Sequence, residues 1–127
     1  MIKEGAIYQF LHGFGLEAYE ENAVYSMKEP PAMPYLTCEL NTGSFADEIS
    51  IPISVNLYYR SASWAAINAK SEEISAAIGY GGRIIDFDGG HIWVKRGTPF
   101  AQSLGDPSDD MVRRKLLNLQ LEFFSEN

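Results

Sequence analysis

The run Ile49-Ser50-Ile51-Pro52-Ile53-Ser54-Val55-Asn56-Leu57-Tyr58-Tyr59-Arg60 alternates without a slip. Its odd positions, Ile49, Ile51, Ile53, Val55, Leu57 and Tyr59, are all apolar, against Ser50, Pro52, Ser54, Asn56, Tyr58 and Arg60 at the even ones. Successive side chains of a strand point to opposite faces, so this period of two predicts a strand buried on one face. Pro52 has no amide proton to give to a ladder and marks an edge or a bulge there. Two further runs share the pattern. Leu117, Leu119, Leu121 and Phe123 alternate with Asn118, Gln120 and Glu122 in a closing strand over residues 112–124. Leu36, Cys38 and Leu40 alternate with Tyr35, Thr37 and Glu39 in a shorter one.

Working outward from these strands, the period changes. Ile2, Ala6, Tyr8, Gln9, Phe10 and Leu11 fall near helical spacing and stop at Gly13 and Gly15, predicting a short amphipathic helix. Ser61 or Ser63 can cap a second helix that ends near Ile78 at Gly79. On it Trp64, Ile67, Ser71, Ile74 and Ile78 form one stripe, with Lys70, Glu72 and Glu73 off it. Residues 83–87 and 91–95 flank Asp88-Gly89-Gly90, the glycine-rich turn of a hairpin. Residues 17–34 are acidic, then Pro-rich, and read as a loop with one extended piece over 23–27. Residues 97–110 read as a long loop, with Phe100 and Leu104 packing it down. Strands that follow one another without regular crossover helices predict a single α+β domain over residues 1–127. Its mainly antiparallel sheet of about five to six strands carries two helices on one face.

Hydrophobic residues make up 46% and charged residues 21% of the 127 positions, as in a globular domain with a real core. No apolar run approaches the length of a membrane span, and no membrane partner is expected. The N-terminal residues lack the basic-then-apolar pattern of a secretory signal, so the chain is expected in the cytosol at synthesis. Cys38 is the only cysteine, which excludes an internal disulfide and fits a buried structural thiol. A net charge of -7 weighs against sequence-specific nucleic-acid binding. The same acidity would suit the wall of a conduit that DNA crosses without sticking. The basic clusters are Arg113-Arg114-Lys115 and Lys95-Arg96.

Asp86, Asp88 and His91 are the nearest approach to a metal-binding cluster. The glycine and distal glutamate of a calcium loop are missing, and the turn explains Asp88 and its glycines. Asp106-Pro107-Ser108-Asp109-Asp110 has the carboxylates of an acid-base pair, but also the make-up of a turn followed by a cap. A third reading pairs these carboxylates with Arg113 and Arg114 of a neighbouring subunit. His12 and His91 lie far apart, no serine sits in a nucleophile elbow, and Gly79-Tyr80-Gly81-Gly82 follows a helix where a phosphate loop would precede one. The expectation is therefore a protein that is not an enzyme, uses no cofactor or metal, and binds other proteins.

Leu57-Tyr58-Tyr59-Arg60-Ser61-Ala62-Ser63-Trp64, the helix after it, Pro99-Phe100-Ala101-Gln102 and Asp106-Pro107-Ser108-Asp109-Asp110-Met111-Val112-Arg113-Arg114 resemble the tail-terminator, or tail-completion, proteins of tailed bacteriophages and phage-tail-like particles. The resemblance covers residues 57–127. It implies a sheet with helices packed against it and a structural role in the virion tail, assembled in the bacterial cytoplasm. Such proteins form a ring, typically a hexamer, on the head-proximal end of the tail tube. They end polymerisation and present a surface for head joining, while DNA passes through without specific binding. The implied partners are other copies of the chain, the tail tube protein, and the head-tail connector or neck proteins. Phe100, Gln102, Asp106, Asp109, Asp110, Arg113 and Arg114 become candidates for subunit or tube contacts. The alternatives are another neck component, such as a head-tail adaptor or a sheath-end cap, and a small metal-dependent enzyme or ligand-binding domain built on Asp86, Asp88 and His91.

Overall fold

The structure, a computed structural model, describes residues 1–39, 50–106 and 109–125, and of Asp106 only the backbone. Ile49 and Leu40 of the alternating runs, and Pro107 and Ser108, lie outside the described residues. Along the chain come α1 (Lys3–His12), β1 (Glu17–Glu20), α2 (Glu21–Tyr25), β2 (Tyr35–Glu39), β3 (Ser50–Arg60), α3 (Ala65–Ile78), β4 (Arg83–Phe87), β5 (Gly90–Asp106) and β6 (Asp109–Ser125). The six strands form one sheet in the order β1-β2-β3-β6-β5-β4. Only β1 and β2 run parallel; every other pair is antiparallel. The fold is α+β, as the sequence predicts.

The two long alternating runs are the centre of the sheet. β3 and β6 pair without a register shift from Ser50↔Glu122 to Arg60↔Val112. This places Ile51, Ile53 and Val55 directly opposite Leu121, Leu119 and Leu117 on one face. Ile92 and Val94 of β5 and Leu36 and Cys38 of β2 extend that face, and all of these side chains are buried. Ile67, Ile74 and Ile78 of α3 and Ala6, Ile7 and Leu11 of α1 close over it to make one core. Each such aliphatic side chain withdrawn from water stabilises the fold by roughly 1.5–3 kcal/mol before entropy is counted. Pro52 stands opposite Gln120 of β6.

Local chemistry sets the ends of α3. The Ser61 hydroxyl accepts from the Ser63 amide and the Ser63 hydroxyl accepts from the Ala65 amide, each at 3.0 Å, turning the chain into the helix. Gly79 ends it with φ of 78°, a conformation that costs glycine little. In the hairpin, Phe87 pairs with Gly90 around Asp88-Gly89, and Gly89 takes the positive φ that a two-residue turn requires.

Four expectations are corrected. Residues 97–110 are no long loop: β5 continues to Asp106 and β6 begins at Asp109. Residues 17–34 hold β1 and the helix α2 where a loop with an extended piece at 23–27 was expected, so the described residues hold three helices. α1 and α3 share one face as predicted, but α2 lies on the other. There Asn56, 2% exposed, donates from Nδ2 to the Glu21 carboxylate at 3.1 Å. In α1 the buried residues are Ala6, Ile7 and Leu11, while Ile2 precedes the helix and is 70% exposed. β1 and α2 span four and five residues, too few to display either period.

Candidate functional site

The predicted interface residues fall on β5 and β6, and a break in β5 arranges them. Arg96 pairs with Leu119 and Ala101 pairs with Leu117, so Gly97, Thr98, Pro99 and Phe100 all stand against the single Asn118. The Asn118 side chain holds this wide bulge by donating to the Pro99 carbonyl at 2.9 Å. The bulge also reverses parity. Ile92, Val94 and Arg96 face α3 before it, whereas Ala101 faces that way after it, and Gln102 and Leu104 turn to the opposite face. Phe100 packs against the core while Gln102 is exposed.

β4 pairs β5 only as far as Val94. Beyond that point β5 is bonded to β6 alone among the described residues, which leaves residues 101–105 as a bare strand edge. Ala101-Gln102-Ser103-Leu104-Gly105 has no charge and no proline, the devices that normally blunt such an edge. Beside it, where β4 stops, lies a cleft of about 460 Å³ lined by Tyr80, Trp93, Lys95, Arg96, Thr98 and Phe100 among others. Trp93 is fixed by donating from Nε1 to the Gly81 carbonyl at 2.8 Å, and Lys95 lies 4.5 Å from its ring centroid. Tyr80 is fully exposed.

Asp106 pairs through its backbone with Asp109 at the end of the β5–β6 hairpin. Asp109 accepts from the Met111 amide at 2.9 Å and from Arg60 at 2.6 Å. These two bonds, the backbone one first, hold its carboxyl below the usual aspartate value. Asp110 is exposed. Arg113 and Arg114 do not form one patch, because neighbours on a strand face opposite ways. Arg113 turns towards α3, donates to the Asp110 and Ala62 carbonyls, and lies 5.2 Å from the Trp64 ring. Among the described residues its Nε is buried without a partner. Arg114, on the other face, donates to the Asn56 side chain at 2.9 Å and lies 6.0 Å from the Tyr58 ring. Arg96 and Lys115 likewise bond neutral oxygens, those of Ser75 and Asn68. Four cations on β5 and β6 thus have hydrogen bonds but, among the described residues, no bonded carboxylate.

The other end of the sheet is acidic. β1, α2 and β2 carry Glu17, Glu20, Glu21 and Glu39 and no Lys or Arg. The Glu20 carboxylate caps α2 by accepting from the Ala23 amide at 3.1 Å. Burial, then a hydrogen bond with Glu39 and its charge, pushes the Glu21 carboxyl up from the usual glutamate value. On the face below α2, Tyr19 meets Tyr35 edge-on at 5.9 Å and Tyr35 stacks on Tyr58 at 4.8 Å. The sequence shows the acidity of residues 17–34 but not that they form a sheet end, and only Phe100 and Gln102 pointed to the region of the bare edge.

Of the residues of the metal alternative, Asp86 and His91 meet each other and Asp88 is engaged elsewhere. His91 Nδ1 lies 2.7 Å from an Asp86 carboxylate oxygen, and Asp88 pairs with the amino group of Met1. Among the described residues no group of three or more His, Cys, Asp or Glu is placed to hold a metal ion. Burial pushes the Cys38 thiol up to about 12, which leaves almost no thiolate at neutral pH. Among the described residues no helix is long and apolar enough to cross a membrane. Compared with family models, with curated proteins and with solved structures, the chain has no match.

Proposed function

We propose that this chain is a tail-completion protein: a ring-forming subunit that caps the head-proximal end of a bacteriophage or phage-tail-like tube. One observation carries the assembly part. The sheet has a bare, uncharged strand edge flanked by cations at its β5 end and an acidic strand at its β1 end. Different patches meeting on successive copies make a heterologous contact, which closes into a ring when the rotation per subunit allows. The tail setting comes from the resemblance over residues 57–127, and the mainly antiparallel sheet with α1 and α3 on one face agrees with what that resemblance implies. In this role the chain has no catalytic centre or cofactor, its partners are its own copies, the tube and the neck proteins, and its net charge of -7 keeps passing DNA from sticking.

The test is electron microscopy of purified tail tubes mixed with the protein. Density on one end of each tube, with elongation halted, is the expected result. Tubes that stay bare and keep growing would remove the terminator role and favour a neck adaptor.

A further inference from the structure

The two ends of the sheet differ in a way that specifies how copies meet. The β5 edge offers unpaired backbone groups over residues 101–105, an aromatic cleft beside them, and Arg96 with no bonded carboxylate. At the far end β1 is a four-residue edge strand whose exposed Glu17 is followed by Glu20 and Glu21. A short, charged edge is protected against indiscriminate pairing, and a cationic counterpart relieves that protection selectively. The acidic end carries Glu17, Glu20, Glu21 and Glu39 and no Lys or Arg of its own strands and helix; Glu17 lies 3.5 Å from His12 and Glu21 reaches Arg114 only through Asn56. α2 buries none of its residues, and Tyr25 at its end is 75% exposed.

The rows of the sheet agree. Glu17, Tyr35, Tyr58, Arg114 and Leu104 are successive register partners, and Tyr19, Thr37, Asn56, Leu116 and Gln102 form the next row. Glu17 and Gln102 therefore lie on the same face at opposite ends of one sheet. A sheet that continued from copy to copy would bring those faces together without a flip.

We infer that β1 of one copy adds to the bare β5 edge of the next at residues 101–105, with the acidic end of the first facing Arg96 and the Tyr80 cleft of the second. This rests on the tail-end reading for its setting but specifies its own contact. Strand addition supplies backbone hydrogen bonds, and the charges fix which edge is accepted. Because the two patches differ, the contact repeats head to tail.

Two single variants of the full chain test it, Glu17→Cys and Gln102→Cys. Both side chains are exposed, and the buried Cys38 does not compete. The variants are mixed in equal amounts and oxidised mildly, once in concentrated solution and once on tail tubes. The expected product is the 17–102 disulfide between different copies, well above the 17–17 and 102–102 products. Tyr80→Ser, at a fully exposed position, should leave the fold intact and weaken association at least fivefold. A dominant 102–102 product would overturn the inference by showing two-fold pairing of the β5 edges. So would the absence of linked chains under both conditions. Caps on tubes without the 17–102 link would remove this contact and leave the tail role standing. The 17–102 link in solution beside bare tubes would establish the contact and remove the tail role.

Discussion

β3 with β6, and β5 beyond its bulge, are parts of the same sheet built to different ends. The β3–β6 ladder runs from Ser50↔Glu122 to Arg60↔Val112 without a shift, with β2 beside Ser54–Tyr58, β5 along β6, and aliphatic side chains interlocked beneath the helices. β5 is interrupted at residues 97–100, changes its facing, and ends as an edge bonded on one side. Regular pairing with full burial puts stability into the first region. The interruption turns Gln102 and Leu104 away from the core face and leaves backbone groups available to a partner. Loss of side chains should therefore cost folding free energy at β3–β6 and assembly at β5.

The largest expected effect is in the ladder. Leu119→Ala removes a side chain that is 2% exposed and should lower stability by about 2–5 kcal/mol in urea denaturation. Leu104→Ser, on the β5 edge, should cost well under half as much; equal losses would break the contrast.

Gly82→Ala comes next. Gly82 has φ of 85°, and an added Cβ would meet the Val94 carbonyl oxygen at 2.7 Å. The strain should cost roughly 1–3 kcal/mol and displace the turn that holds Trp93, read as a change in tryptophan fluorescence. An unchanged spectrum and melting temperature would mean that the turn does not fix the cleft.

Asn118→Ala removes the bond to the Pro99 carbonyl and should cost about 0.5–1.5 kcal/mol. Its amide exchange should quicken at residues 97–100 while the β3–β6 amides keep theirs. Uniform loss of protection would show that the bulge and the ladder open together.

Asp109 gives the smallest effect, visible in acid. Its folded-state carboxyl titrates lower than the unfolded one, so its contribution is complete above the unfolded value of about 3.9. It is lost as pH falls from there through the folded value. Asp109→Asn should flatten this part of the acid limb of a melting-temperature profile; a profile of unchanged shape would rule out the Asp109 carboxylate as its source.

The same contrast governs what the sequence displays. β3, β6 and α3 are legible because burial on one face leaves an unbroken period, and Asp88-Gly89 is legible because its turn demands special backbone angles. The first part of β5 reads as a hairpin strand, but the part from Gly97 reads as a loop because core-facing positions change from even at Val94 and Arg96 to odd at Ala101, with Gly97 and Pro99 between them. β1 and α2 are too short to show periodicity, and their order depends on pairing with β2 and on Asn56 reaching Glu21. Of the candidate site, Phe100 and Gln102 were visible as residues, but the edge beside them depends on where β4 stops pairing. Arg113 and Arg114 look like one basic patch in the sequence, and the strand sends them to opposite faces.

Hydrogen exchange of the full chain, alone and assembled on tail tubes, tests this division most directly. Alone, the β3–β6 amides should exchange slowest and the outward amides of residues 101–105 rapidly. Assembly should add protection at residues 101–105 and at 17–20 together while leaving β3–β6 unchanged. Capped tubes with no added protection in either segment would contradict strand addition at the β5 edge as the basis of assembly.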